Sequence, residues 1–357
     1  MKQITYISII LLFYTNFVYG QDGDFTGYAT SIVEQNKVVI KTFGFKDKNR
    51  KVKYDSLTTQ PIASVSKVII GLAIMKAIEL GFINLDTDIN EYLNFKIVNP
   101  NLRNYQKITM KHLATHTSGI RDKIKFYTQS YTKGLKSPYT LEEYLKSYFT
   151  EGGKRYSKKN FGKNQPGEEY SYSNIGAALA AYVIESASKI PFELFTEKYL
   201  FQPLGMNHTH WHYNGTQIEK YTQLFDKKDN PLDYYALATY PDGGLKSNIA
   251  DLSKLLQALI KGYQGDGDIL SNNYWKVFFE KNFSETSPIK GINPKEPNHG
   301  IFIVYAKSGS IGHTGSDPGV SVIMFFNPTT KRGKIFMANE DLIRNNLNSF
   351  KTIWDNL

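Results

Sequence analysis

Hydrophobic and polar positions follow different periods in different parts of the chain. Residues 27–45, GYATSIVEQNKVVIKTFGF, form two β-rich runs around the turn-like EQNK, which predicts a hairpin. Residues 62–81, IASVSKVIIGLAIMKAIELG, are apolar nearly all round and end on Gly81, which predicts a helix buried on most sides. From about Asn99 to Tyr240, helical patterns such as TLEEYLKSYF and NIGAALAAYVIESASK alternate with Gly-, Pro- and Lys-rich loops. After PDGG comes a further helical pattern, NIADLSKLLQALIKG. The C-terminal part carries β-runs, GIFIVYAK, GVSVIMFF and GKIFMAN, and closes on EDLIRNNLNSFKTIWDNL, which reads as a helix. Strands at both ends with helices between predict an α+β fold. One antiparallel sheet is built from both termini and flanked by helices, with a mainly helical insertion at about 99–240.

Composition narrows the classes. A chain of 357 residues with 41% hydrophobic side chains buries a sizeable core without metal or disulfide. With no cysteine, disulfides, zinc-thiolate sites and a cysteine nucleophile are excluded. The formal charge is +10, yet only six of the 43 basic residues are arginine and the lysines are scattered, so no nucleic-acid partner is expected. At the start, Lys2 precedes an apolar run from about Ile4 to Phe17, and Gly20 precedes Gln21. That layout predicts a signal peptide over 1–20, with residues 21–357 exported to the periplasm or beyond. The run is shorter than the roughly 20 residues of a spanning helix, so no stable membrane insertion is expected after cleavage.

Three short elements carry candidate chemistry. Ser64 stands three residues before Lys67, a spacing that recurs at Ser130/Lys133, Ser186/Lys189 and Ser287/Lys290. Only Ser64 opens a helix. At about 100° per residue Ser64 and Lys67 lie on neighbouring faces, whereas Ser66 is about 200° from Ser64. A lysine on a buried helix is costly unless paired or neutral, so burial is what would make Lys67 a usable base. The first turn also offers free N–H groups for an oxyanion. The second element is Tyr172 and Asn174 on a loop entering a helix, a spacing shared by Tyr92 and Asn94. The third is His313, Thr314 and Gly315 just before a strand, where the N–H of Ser316 would complete an oxyanion hole.

In this order and at these intervals the three elements resemble the penicillin-recognising serine hydrolases, specifically the class C β-lactamase and DD-carboxypeptidase family. LATHTSGI, FQPLGMNHTHW, YPDGGLKSNIADL and NHGIFIVY look like further segments of that family, and the resemblance runs from about Gly27 to Asn339. It implies a β-lactamase/transpeptidase-like catalytic domain over 21–357, working without a cofactor, as a monomer, on a small molecule or a peptidoglycan-derived peptide. Ser64 would be the acylated nucleophile and Lys67 its proton acceptor or activator. Tyr172 would protonate the leaving group, Asn174 would hold the substrate amide, and the N–H groups of Ser64 and Ser316 would bind the oxyanion. Class C β-lactamases usually carry lysine where this chain has His313. That favours a carboxypeptidase, D-aminopeptidase or esterase over a β-lactamase, because a neutral imidazole holds a carboxylate less firmly. A non-catalytic penicillin-sensing or wall-binding protein is the reading from another class. His116 is expected to be structural, bonding local backbone. His208, His210 and His212 would share one face of a strand and could ligate zinc, but no carboxylate follows at a recognisable spacing, so no metal site is expected.

Overall fold

A computed structural model describes residues 24–35, 37–103 and 105–357. The signal peptide read at residues 1–20 lies outside them, and among the described residues no helix is long and apolar enough to cross a membrane. The hairpin forms as its alternation predicts: β1 (Gly27–Glu34) and β2 (Lys37–Asp47) pair antiparallel from Gly27↔Gly44 to Glu34↔Lys37. β3 (Val52–Lys53) follows. The C-terminal part supplies β4 (Asn298–His299), β5 (Val304–Tyr305), β6 (Ile311–Asp317), β7 (Val320–Asn327) and β8 (Arg332–Ala338). Together they make an eight-stranded sheet in the order β4-β5-β6-β7-β8-β1-β2-β3. The two ends of the chain meet at β1 and β8, in register from Tyr28↔Ala338 to Val33↔Gly333.

Four helices organise the rest. A 3₁₀ turn, Ala63–Val65, leads into α1 (Ser66–Glu79), whose residues are buried on nearly every side. α2 (Asn174–Ser188) packs against α1, and its Ala- and Gly-rich surface permits the close approach. Ser173 caps α2 through Gly176 N–H at 2.9 Å, and left-handed Lys189 ends it before Pro191. α3 (Ile249–Gln264) lies across β1 and β8 on one face of the sheet, where the Ser253 and Ser31 hydroxyls meet at 2.8 Å. α4 (Leu347–Asp355) covers the other face, with Phe350 against Phe336. Between α1 and α3 run further helices, such as Leu141–Phe149, and two short ladders, Tyr131–Lys133 with Tyr235–Leu237 and Leu224–Phe225 with Pro231–Leu232.

Several local expectations need correction. α1 begins at Ser66, so Ser64 sits in the 3₁₀ turn before it rather than in its first α-helical turn. Of the run GIFIVYAK only Val304–Tyr305 is strand, because Ile301 N–H donates to Phe278 O and Phe302 N–H to Ala114 O, and Phe302 is left-handed at φ 51°. His313, Thr314 and Gly315 lie inside β6, not ahead of a strand. The C-terminal helix is shorter than its pattern, since Leu342 N–H is taken by Ser321 Oγ and Ile343 N–H by Asn346 Oδ1. Residues 208–212 form no strand; His210 makes only a single bridge to Lys246.

α1 leaves no room for a side chain at Gly71. A Cβ on Gly71 would stand 2.2 Å from the Ile301 carbonyl oxygen. Gly71→Ala is expected to destabilise the fold by about 1–3 kcal/mol through this overlap, read as a lowered midpoint in urea unfolding; an unchanged midpoint would contradict the packing.

Candidate functional site

The site is assembled where three distant segments meet the 3₁₀ turn. A two-residue ladder, Gln60↔Ser247 and Pro61↔Lys246, binds the approach to Ser64 to the strand after PDGG, and Ile62 N–H donates to Leu245 O at 2.9 Å. Ser66 points away from Ser64 and accepts from Leu245 N–H at 3.3 Å, so its hydroxyl serves this same junction. From the sheet side, Gly315 meets the turn directly. A Cβ there would lie 2.4 Å from Ile62 O and 3.2 Å from Ser64 N, so only glycine allows β6 this close.

Ladder parity then fixes where the backbone of β6 points. Asp317 and Val320 flank the two-residue turn Pro318–Gly319 and are therefore a hydrogen-bonded pair. Gly315 and His313 follow in phase and bond toward β7, while Ser316 and Thr314 turn their N–H and C=O to the opposite edge. β5 pairs with β6 only at Ile311 and Gly312, so that edge is not covered by a strand at Ser316. The Ser64 N–H has no hydrogen-bond partner among the described residues.

Lys67 joins the elements. It is fully buried, and its ammonium donates to Ser64 Oγ at 3.1 Å, to Asn174 Oδ1 at 2.8 Å and to the Asp242 carbonyl oxygen. Three acceptors use the three N–H bonds of the group, so no lone pair is free while they hold. The Nζ also lies over the ring of Tyr172, 5.0 Å from its centroid. Tyr172 is exposed and its hydroxyl makes no hydrogen bond among the described residues.

The loop bearing Tyr172 is held from both sides by His116. Ser171 N–H donates to His116 O at 2.7 Å and Ser173 N–H to His116 Nδ1 at 3.2 Å, and the imidazole packs on the Tyr172 ring at 4.4 Å. His116 is left-handed at φ 55°, a conformation held by these bonds. Burial, then His299, Lys67 and His313, hold its pKa well below the ordinary histidine value, which keeps Nδ1 an acceptor. His313 is also buried, and its pKa is lowered to about 4, by burial first and then by Lys67. Its Nδ1 lies 2.6 Å from Thr314 O, so Nδ1 carries the proton and Nε2 keeps a lone pair. Thr314 and Ser316 expose their side chains.

Several residues of the site had no assigned role in the sequence. Asp122 accepts from Asn174 N–H at 2.7 Å, Ile175 N–H at 3.1 Å and Ser173 Oγ at 2.7 Å, anchoring the start of α2. Asp242, within YPDGGLKSNIADL, is buried beside Lys67, with Oδ1 accepting from the Tyr127 hydroxyl at 3.1 Å. Its Oδ2 and the neighbouring Thr239 hydroxyl are buried without a partner among the described residues. Beyond Tyr127, Tyr131 donates to Asp317 Oδ1 at 2.7 Å. The three alternating histidines separate: His208 N–H donates to Asp251 at 2.8 Å, His210 Nε2 meets the Tyr221 hydroxyl, and His212 packs on Tyr240. Among the described residues no group of three or more His, Asp or Glu is placed to hold a metal ion.

The pattern of the Beta-lactamase family matches residues 17–345, most of the chain. The chain belongs to the Beta-lactamase family. PbpX of Bacillus subtilis (strain 168), named for penicillin binding, is 26% identical over 327 residues, which cover 90% of this chain and 72% of PbpX. Protein flp of Staphylococcus aureus (strain MRSA252) is 26% identical over 314 residues, covering 80% of this chain and 60% of flp. The chain thus spans about 60% of the length of the staphylococcal relative. The solved structure of a β-lactamase/D-alanine carboxypeptidase from Pseudomonas syringae superposes with a TM-score of 0.72 over 94% of this chain and 95% of that one, at 19% identity. The two share the β-lactamase/transpeptidase fold. In this family member the buried turn at Ser64, the lysine beside it and the Asn174 helix start are therefore set in the family's α+β frame.

The buried carboxyl in this site makes stability depend on pH. Burial pushes the Asp242 pKa from 3.8 up to about 7, so its folded-state pKa is raised. The stability it contributes is present below the unfolded value and is lost as pH rises through about 7. Asp242→Asn keeps an oxygen for Tyr127 and is expected to gain on the order of 2–4 kcal/mol relative to the parent between pH 4 and pH 8. Urea unfolding at both pH values measures this, and a pH-independent difference would contradict it.

Proposed function

We propose that the chain is an exported serine hydrolase that cleaves an amide or ester through an acyl-enzyme on Ser64. The observation carrying this reading is the fully buried Lys67, whose ammonium reaches both Ser64 Oγ and Asn174 Oδ1 beside the glycine contact of β6. Ser64 Oγ attacks the substrate carbonyl, and its proton passes to Lys67 or Tyr172. The carbonyl oxygen takes up negative charge between the N–H groups of Ser64 and Ser316, and Asn174 holds the substrate amide. As the intermediate collapses, the leaving group takes its proton from Tyr172. Water then attacks the acyl carbon as Lys67 or Tyr172 takes its proton, the ester bond to Ser64 breaks, and Oγ takes that proton back. Since Nζ donates all three of its protons in this state, Lys67 must release one of them before it can accept a proton from Ser64.

The substrate is a small molecule or a peptidoglycan-derived peptide, handled by a monomer after removal of residues 1–20. Among the family's reactions, those of a carboxypeptidase, D-aminopeptidase or esterase fit better than efficient β-lactam hydrolysis. The support is His313, which is buried with its pKa lowered to about 4 and so meets a substrate carboxylate with a lone pair, not a cation. This weighs against β-lactams and also against the carboxylate-ended substrate of a carboxypeptidase, so the aminopeptidase and esterase reactions fit best.

A fluorophosphonate probe is expected to label the protein, with labelling abolished in Ser64→Ala and retained in Ser66→Ala, as read by in-gel fluorescence. Labelling that survives loss of Ser64 would refute the nucleophile. Exchanging His313 for lysine is expected to raise kcat/KM for carboxylate-bearing substrates about tenfold relative to neutral esters. Equal changes on the two substrate types, in steady-state assays, would remove the histidine argument.

A further inference from the structure

Asp317 has a setting that the acylation chemistry leaves unused. On β6 it follows Gly315 by two positions, so its side chain leaves the same face that meets Ile62–Ser64, roughly 7 Å farther along the strand. The carboxylate is part-buried, and burial raises its pKa to about 6. One oxygen, Oδ1, accepts from Tyr131 at 2.7 Å, and the Tyr235 hydroxyl also bonds the carboxylate, so its partners are two neutral hydroxyls. Tyr235, whose ring lies 5.7 Å from that of Tyr131, sends its hydroxyl to Pro318 O at 3.1 Å. The lysines whose charge acts on Asp317 are engaged elsewhere. Lys67 donates to Ser64, Asn174 and Asp242, while Lys246 donates to Trp211 O at 2.9 Å and lies over the Tyr213 ring. Among the described residues no cation pairs with Asp317, although a half-buried carboxylate without one is costly.

From this geometry we propose that Asp317, held by the Tyr131 and Tyr235 hydroxyls, is the subsite for a primary ammonium on the carbon next to the acyl carbonyl of the substrate. The proposal rests on the Ser64 acyl-enzyme reading and deepens it to a substrate class, α-amino acyl donors. The distances agree. An α-nitrogen lies about 2.5 Å from its carbonyl carbon, and a charged hydrogen bond adds about 2.8 Å. The aspartate's own reach supplies the remainder of the roughly 7 Å between the Gly315 contact and Asp317. The two tyrosine hydroxyls hold the carboxylate in place without neutralising it. The Tyr127 hydroxyl stands 3.5 Å from that of Tyr131 and is tied to buried Asp242, which holds the rings in place. A substrate whose α-nitrogen is acylated brings no charge to Asp317 and leaves the carboxylate without a counter-ion.

The test compares the p-nitrophenyl esters of D-alanine, N-acetyl-D-alanine and propionic acid at pH 7, each kcat/KM divided by that ester's uncatalysed hydrolysis rate. The D-alanine ester is expected to exceed the other two by about tenfold or more, and Asp317→Asn, which keeps an oxygen for Tyr131, to lower that ratio by about the same factor. A ratio near one in the parent, or a ratio unaltered in Asp317→Asn, overturns the subsite. Should Asp317→Asn fail to fold by circular dichroism, the parent's ratio decides. If none of the three esters is cleaved and none acylates the protein by intact mass, the Ser64 reading has failed. The subsite is then judged by calorimetric binding of D-alaninamide against propionamide, where equal affinities overturn it and a tenfold preference for D-alaninamide supports it.

Discussion

The ammonium of Lys67 is the point on which the site hangs. It is withdrawn from water entirely, and an unpaired charge there would be untenable. Its three bonds tie α1 to the start of α2 through Asn174, to the segment after Tyr240 through the Asp242 carbonyl, and to the nucleophile candidate itself. Each partner comes from a different stretch of the chain, separated from Lys67 by 107 residues for Asn174 and 175 for Asp242. Losing one acceptor leaves a buried donor unsatisfied, so helix packing and the positions of the reacting groups are one constraint.

Around that charge the imidazoles are kept neutral and used as fixed acceptors or donors. His116 clamps the backbone on both sides of Tyr172, and His313 is turned onto the Thr314 carbonyl. Neutrality follows from burial first and then from the nearby charge of Lys67. The carboxyls of Asp242 and Asp317 are braced by the hydroxyls of Tyr127 and Tyr131. Of the side chains on the face of β6 that meets the Ser64 turn, His313 is neutral and Asp317 has no paired cation among the described residues. His313 and Asp317 leave the same face of β6, and on the proposed reading both favour an amine over a carboxylate in the substrate.

Much of the frame was legible in local pattern. Alternation predicted the β1–β2 hairpin, all-round apolarity predicted α1, and Ala-rich periodicity predicted α2, because each of these signals reflects which faces a local element must bury. Patterns misled where a distant group captured the backbone. Residues 300–303 look like strand, but the N–H groups of Ile301 and Phe302 go to helix ends and Phe302 is left-handed. The C-terminal helix is shortened because Ser321 and Asn346 take the N–H groups of Leu342 and Ile343.

The sequence by itself determined the fold class, the sheet built from both termini, and a short set of candidate side chains in a recognisable order. It also separated Ser64 from Ser66, since that distinction depends only on local angle. What only the tertiary structure decided were the roles that depend on contacts far apart in the chain: Asp122 beneath α2, Asp242 beside Lys67, the close passage of Gly315 over the Ser64 turn, and the inward face of Asp317. An aspartate reads the same in sequence whether it meets water, a helix start or a buried lysine. Its charge and reach acquire meaning only from the desolvation and partners that folding supplies.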